Sequence, residues 1–377
     1  MSGISGVAIL GAGIFAKEAH LPALAALGAS APPLKAVYSR SEKSAKDLAQ
    51  TAATILKLSS PPSVYFDNDS SSNLDVLLAR SDISSVIVIL PITTQPAIVL
   101  KALAAGKHVI SEKPVAADVQ SGLKLIADYN SNFKSKNLIW RVAENFEAEP
   151  GYQAAAAAIR AGKIGQVHSF KAEKIDYIDT ETKWYKTPWR TIPDYQGGFL
   201  LDGGVHTIAA LRVMLPHPLT HVSGFASLNK AYLAPHDIIH AIVQAGPGVS
   251  GVADLIFASP TKSRPAGSEF AILGTNGWLS VNHVSKPGVS GSVIRVIIHS
   301  IVKSKDDTEV EEKEEIIDEP GIGVQAELAS FFAAISGKDD GKGLGDPLAA
   351  LGDVAFIQAA LNSGGNLVDL TQLLRGD

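Results

Sequence analysis

The chain has 377 residues, 46% of them hydrophobic and 19% charged, with a formal net charge of −5. That length exceeds the usual single-core limit of about 250–300 residues, so two domains are expected, and the acidic balance argues against a nucleic-acid surface. No apolar run approaches the roughly 20 residues of a membrane span, and no basic segment precedes the first apolar residues, so no signal peptide is expected. Zero cysteines exclude a disulfide framework, a thiolate nucleophile and a Cys-ligated metal. That fits a cytoplasmic protein, and no metal site is expected.

The first plausible strand, Val7-Ala8-Ile9-Leu10, runs into Gly11-Ala12-Gly13-Ile14-Phe15-Ala16, a Gly-x-Gly-x-x-Ala pattern. Physically this is a strand turning tightly into a helix. Gly11 permits the turn, Gly13 lets the backbone approach a pyrophosphate, and Ala16 keeps helix and strand close. The helix start then offers free N–H groups and a positive dipole end to phosphates. Gly-rich turns are common, but this one follows the first strand almost at the N-terminus, where a dinucleotide fold places it. Residues 19–27 continue as helix, with a kink expected at Pro22.

The second strand, residues 34–38, ends at Ser39-Arg40-Ser41, with Lys43 just beyond. An NAD site places a carboxylate at this strand end against the ribose 2′-hydroxyl, whereas an NADP site supplies a cation for the 2′-phosphate. No carboxylate stands there and a guanidinium does, which favours NADP. The alternatives are NAD, and Arg40 as a plain surface residue.

Strand and helix then alternate: helices at 41–51, 74–80, 96–105 and 119–130, strands at 64–66, 86–90, 108–110 and 138–142. That alternation marks a doubly wound parallel sheet. From Tyr152 the texture changes. An Ala-rich helix at 153–161 is followed by strand-like runs at 167–175, 221–226, 238–243, 252–257, 270–273, 278–281, 293–302 and 310–317. Strands following strands imply a largely antiparallel sheet. One helix, 205–215, interrupts the series, and helices at 325–335 and 348–361 finish the chain. The densest charge run, 303–319, reads as a solvated hairpin. The expected architecture is α/β: an N-terminal Rossmann domain, residues 1–146, and a C-terminal α+β domain with an open, mostly antiparallel sheet, residues 147–377.

Four motifs then fall in a telling order: the glycine turn, Ala105-Gly106-Lys107-His108-Val109-Ile110-Ser111-Glu112-Lys113-Pro114, Ala143-Glu144-Asn145, and Gly197-Gly198-Phe199-Leu200-Leu201-Asp202-Gly203-Gly204-Val205-His206. Together they resemble the Gfo/Idh/MocA family, the glucose–fructose oxidoreductase and inositol dehydrogenase group, over essentially the whole chain. The resemblance implies an NAD(P)-dependent oxidoreductase of sugars, polyols and related hydroxy compounds. It implies a cofactor site drawn from Gly11, Gly13, Ile14, Phe15, Ala16, Ser39, Arg40, Lys43, Leu90, Pro91, Gln95, Glu112, Lys113, Asn145, Trp189 and Arg190. Gln95 stands where the family often has a His, and Glu147-Ala148-Glu149 stands where an aromatic or Arg is common. These departures leave the substrate open.

Hydride transfer from an alcohol needs a base for the hydroxyl proton, a cation to favour the alkoxide, and something to hold the base. Histidine suits the base, with a pKa near neutrality. By resemblance the catalytic set is Lys113, Asp202 and His206: His206 as general acid/base, Lys113 polarising the reacting oxygen and orienting the nicotinamide, Asp202 orienting substrate and His206. Asp202 and His206 are four apart, so on a helix they share a face, and Gly203-Gly204 would let the chain approach a ligand. Pro114 biases Lys113 to an extended backbone. Singly, each residue has a plainer reading: Asp202 as a helix N-cap, His206 as an interior histidine, Lys113 as surface, Trp189-Arg190 as a packing pair. The competing function is a non-catalytic NAD(P)-sensing regulator, which would need neither Lys113 nor His206. Partners are a small-molecule substrate and, through the open sheet face, a second copy of the chain in a homodimer or higher homo-oligomer.

Overall fold

Strand β1 (Val7–Leu10) is buried at every position, as a strand in the middle of a covered parallel sheet must be. In the computed structural model the described residues are 5–267, 269–288, 291–303, 310–339, 341 and 343–376. After β1 the helical segment contains a π-helical turn, Ala16–His20, before α1 (Leu21–Leu27). Then come β2 (Leu34–Ser39), α2 (Glu42–Ile55), β3 (Ser63–Phe66), α3 (Leu74–Leu78), β4 (Ser85–Val88) and α4 (Gln95–Ala104). β5 (His108–Glu112), α5 (Val119–Asn132) and β6 (Trp140–Ala143) follow. Short helix α6 (Asn145–Ala148) leads to α7 (Pro150–Arg160), β7 (Val167–Ile175), α8 (Pro188–Thr191) and α9 (Phe199–Met214).

The later strands are β8 (His221–Ser227), β9 (Ile238–Gln244), β10 (Ser250–Ile256), β11 (Phe270–Gly274), β12 (Gly277–Val284), β13 (Val293–Lys303) and β14 (Val310–Pro320). The chain finishes with α10 (Gly323–Ile335), α11 (Pro347–Asn362), β15 (Val368–Asp369) and α12 (Leu370–Leu373). No helix among the described residues is long and apolar enough to cross a membrane.

Packing divides the chain into two units, Met1–Asn145 with Val324–Leu351, and Phe146–Gly323 with Gly352–Asp377. The segment 324–351, which the sequence reading assigned to the second domain, packs within the first unit. The reason is visible in its side chains: Leu328, Phe331 and Phe332 of α10 are buried in one cluster with Ile9, Ala16, Val37, Ile87 and Ala143.

The first unit holds six strands in the order β3-β2-β1-β4-β5-β6, every pair parallel. This is the expected Rossmann arrangement, in which the strand order reverses beside β1 and leaves a crevice at the carboxyl ends of β1 and β4. Pro22 lies well inside the helical segment that opens at Ile14, directly after the π-helical turn. The irregularity expected at Pro22 falls before it instead, as the π-helical turn.

The second unit is a nine-stranded sheet, β14-β13-β12-β11-β7-β10-β9-β8-β15. Only β7 and β10 pair in parallel, the other neighbours being antiparallel, so the open, mostly antiparallel sheet is as expected. In β9, residues Ile239, Ala241 and Val243 are buried while His240, Ile242 and Gln244 are exposed, the period-2 alternation of a sheet with one covered face. The charged run 303–319 lies in the β13–β14 pair, and its tip, 304–309, lies outside the described residues.

Helix α9 begins at Phe199, not near Val205. It starts after Gly197 and Gly198, both at positive φ (75° and 54°), a conformation that favours glycine. Gly203 and Gly204 therefore lie inside the helix. A Cβ on Gly203 would come 2.9 Å from the Phe257 ring, and one on Gly204 would come 3.0 Å from Leu255 and 3.1 Å from Ile357. The pair lets α9 lie close to the sheet; what it makes room for is packing rather than a ligand.

Gly11 has φ 119°, and a Cβ there would overlap the carbonyl oxygen of Ile89. Gly11→Ala is therefore expected to destabilise the protein by about 2–4 kcal/mol, read as a lowered midpoint in urea unfolding followed by circular dichroism. A midpoint within error of wild type would show that the turn tolerates a side chain.

Candidate active site

The carboxyl edge of the first sheet is built from the turns that follow its strands. After β1, Gly11 donates its N–H to the Tyr38 carbonyl (2.8 Å), and Ile89 donates to the Leu10 carbonyl (2.8 Å). Both neighbours of β1 thus hold it to its last residue. Above Gly13 there is open space, with nothing within 4 Å of an added Cβ. Ile14 and Phe15 open the helical segment, and Ala16 is fully buried against the sheet. An accessible backbone at Gly13, directly before a helix start, is what a pyrophosphate needs. These residues fit a dinucleotide.

At the end of β2, Ser39 is half-buried, and Arg40 and Lys43 are exposed. Ser41 caps α2, its hydroxyl accepting from the Ser44 N–H. Tyr38 donates its hydroxyl hydrogen to Asp67 (2.8 Å). Burial first, then the hydrogen bond and charge of Asp67, push the Tyr38 phenol well above its ordinary range, so it stays a donor. Both side chains wall a 460 Å³ cavity that also touches Asn73, Ile98 and Lys101.

After β4, Leu90 and Pro91 are half-buried, and the Pro91 carbonyl accepts from the backbone N–H groups of Thr94 and Gln95. Gln95 is 2% exposed. Its side-chain Nε2 donates to the carbonyl of Glu112 (3.0 Å), the last residue of β5. Lys113 follows, half-buried, with a cis bond to Pro114. Asn145, half-buried, comes just after β6. The parallel sheet thus brings the glycine turn, Ser39, Arg40, Leu90, Pro91, Lys113 and Asn145 to the ends of strands that all point the same way.

One buried cluster in this unit joins Glu112, an expected site residue, to two residues outside the expected set. His20 closes the π-helical turn and is fully buried, with Nε2 2.6 Å from Oε1 of Glu112. Glu327 of α10 joins them: one ligand-type atom from each of the three lies within 4.8 Å of the others. The only signal in the sequence is a histidine set in an apolar helical run, Ala19-His20-Leu21.

In the second unit, Arg190 on α8 donates from Nε to Oδ2 of Asp202 (2.7 Å). Its guanidinium lies 4.1 Å from the centroid of the Trp189 ring and 5.2 Å from that of Trp184. The side chains of this ion pair are only 14% and 9% exposed, and a pair so buried is expensive to break from one side, about 3–5 kcal/mol. Asp202 sits one turn inside α9, past its Gly198 cap, so it is not the N-cap. His206, one turn further on the same face, is half-buried and stacks on Phe146 with ring centroids 4.7 Å apart. Tyr195 packs against Trp189, and burial followed by the charge of Asp202 raises its phenol far above its ordinary range. Trp184, Phe146 and Tyr195 are additions to the expected set. Two tryptophans five residues apart, the second directly before an arginine, were the legible hint.

Residues 5–134 match the oxidoreductase family with an NAD-binding Rossmann fold, and residues 152–280 match the GFO/IDH/MocA C-terminal domain. The dehydrogenase FPY6 of Fusarium mangiferae is 39% identical, over 95% of this chain and 96% of that protein. The dTDP-3,4-didehydro-2,6-dideoxy-α-D-glucose 3-reductase of Streptomyces violaceoruber is 27% identical, over 94% of this chain and 93% of its own. Among solved structures, an oxidoreductase of Thermotoga maritima superposes with a TM-score of 0.78 at 28% identity, covering 99% of this chain and 100% of that one. The chain belongs to the GFO/IDH/MocA family and is an NAD(P)-dependent oxidoreductase.

Proposed function

We propose that the protein transfers a hydride between a nicotinamide, NADP in preference to NAD, and a sugar, polyol or related hydroxy or carbonyl compound. The observation that carries this reading is the placement of Lys113 at the carboxyl end of β5, on the sheet edge that also bears the Gly11–Ala16 turn. Ligands of open α/β sheets bind along that edge. The sugar-nucleotide activity named for the Streptomyces relative supports the substrate class. The cofactor preference is supported by the exposed guanidinium of Arg40 directly after β2, where an NAD site would present a carboxylate.

Bound NAD(P) supplies the hydride donor or acceptor; the chain supplies charge and proton transfer. Lys113 donates a hydrogen bond to the reacting oxygen and stabilises the negative charge that grows on it. His206 exchanges the hydroxyl proton. Asp202, itself tied to Arg190, orients the substrate and His206. The exposed face of the second sheet carries Phe225 (66% exposed), Ile242 (65%) and Ile316 (50%). Apolar side chains grouped on one sheet face are expected to be covered, and a second copy of the chain is the occupant proposed.

Lys113→Met and His206→Asn are each expected to lower turnover about 10²–10⁴-fold in NADPH oxidation with a panel of aldehydes, ketoses and diketones. NADPH binding, followed by nucleotide fluorescence, should persist, and near-wild-type turnover in both variants would reject the assignment. Arg40→Ala is expected to weaken NADP binding by about tenfold or more, the worth of a charge-assisted hydrogen bond, with little change for NAD; equal losses would remove Arg40 as the reader of the 2′-phosphate. Size-exclusion chromatography with light scattering should give at least twice the monomer mass, and a monomer would leave the open face without its proposed cover.

A further inference from the structure

The buried contact between His20 and Glu112 joins the helical segment that follows β1 to the end of β5. His20 lies four residues beyond Ala16, on the helical segment that the glycine turn begins, and its ring meets the Phe15 ring edge-on with centroids 5.4 Å apart. Glu112 is the residue before Lys113. Its carboxylate is held by His20 Nε2 at 2.6 Å, and its carbonyl, part of the peptide unit that leads into Lys113, is held by Gln95 Nε2 at 3.0 Å. All three partners are nearly or fully buried: His20 0%, Gln95 2% and Glu112 7% exposed. Glu327, 5% exposed, completes the cluster from α10.

A lysine is a poor positional device in itself, because four rotatable bonds separate its ammonium from the backbone. The direction in which the backbone launches the side chain limits where its ammonium can lie. Here the launching residue is gripped twice, on its side chain and on its carbonyl, from the two turns that flank the crevice between β1 and β4. Errors of about 1 Å in a reacting group cost on the order of a hundredfold in rate, so a grip of this kind has a function beyond stability.

We propose that His20 is a positioning residue for Lys113: through its hydrogen bond to Glu112 it sets the direction of the ammonium relative to the glycine turn. The inference rests on Lys113 acting in the reaction, as proposed above, but its first test does not need turnover. In wild type, His20→Ala and His20→Gln, the rate at which trinitrobenzenesulfonate labels Lys113 is measured by peptide mapping, with the exposed Lys46 as reference. His20→Ala should raise Lys113 labelling at least about fivefold relative to Lys46, the ammonium no longer being held in one direction. His20→Gln, whose amide still donates to Glu112, should label at nearly the wild-type rate.

With the best carbonyl of the panel, His20→Ala should then lower kcat about 30-fold while the dissociation constant of NADPH changes less than about threefold, and His20→Gln should restore kcat to within about threefold. Lys113 labelling at the wild-type rate in His20→Ala overturns the proposal. So does a kcat loss matched by an equal loss of NADPH affinity that Gln fails to restore, since that is merely structural damage. If His20→Ala does not fold, His20→Asn, too short to reach Glu112, replaces it in the same comparison. Should Lys113→Met keep wild-type turnover, the catalytic reading of Lys113 falls, whereas the labelling comparison still decides whether His20 orients it.

Discussion

The first unit is organised around a backbone contact that admits no side chain: Gly11 against the carbonyl of Ile89. β1 and β4 are parallel neighbours in full register from Val7 with Ser85 to Leu10 with Val88, and the chain must leave β1 at once to enter its helix. Only a residue without Cβ, at a φ that other residues avoid, can turn there while β4 continues alongside. The consequences spread outward. The helix start is delivered to the crevice, Ala16 is pressed to the sheet, and His20 is carried to the depth at which it meets Glu112.

The second unit solves a different problem, that of holding charge in a helix that lies on an apolar sheet. Asp202 sits on α9 amid Leu200, Leu201 and Val205, all of them buried. A carboxylate at such a position is tolerable only with a compensating cation. Arg190 provides it, and two indole faces hold the guanidinium in place, a geometry that lysine would not reproduce. The aromatic pair therefore acts at one remove on Asp202, and by the helix repeat on the face shared with His206.

Much of this was legible in the sequence because it depends on local rules. The strand–helix alternation of the first half, the glycine turn and the change to consecutive strands after Tyr152 all follow from periodicity and backbone freedom. What escaped depends on tertiary partners. Gly203-Gly204 has the composition of a helix breaker, yet Phe257, Leu255 and Ile357 give it a packing role that no local pattern announces, so the start of α9 was misplaced by six residues. The tie between the Gln95 amide and the Glu112 carbonyl joins residues 17 apart in the chain and has no local signature. His20 and Glu327 lie some 300 residues apart in the chain, and nothing short of the fold brings them together.

The return of Val324–Leu351 to the first unit bears on how the protein is made. Synthesis runs from the N-terminus, and the six parallel strands leave the ribosome long before Leu328, Phe331 and Phe332 exist. Until those side chains arrive, the apolar surface they cover on β1, β2 and β4 stays wet, and Glu112 and His20 lack their third companion. Completion of the nucleotide-binding half is thereby deferred until the other half has almost wholly emerged, an interval in which exposed apolar surface favours aggregation over folding.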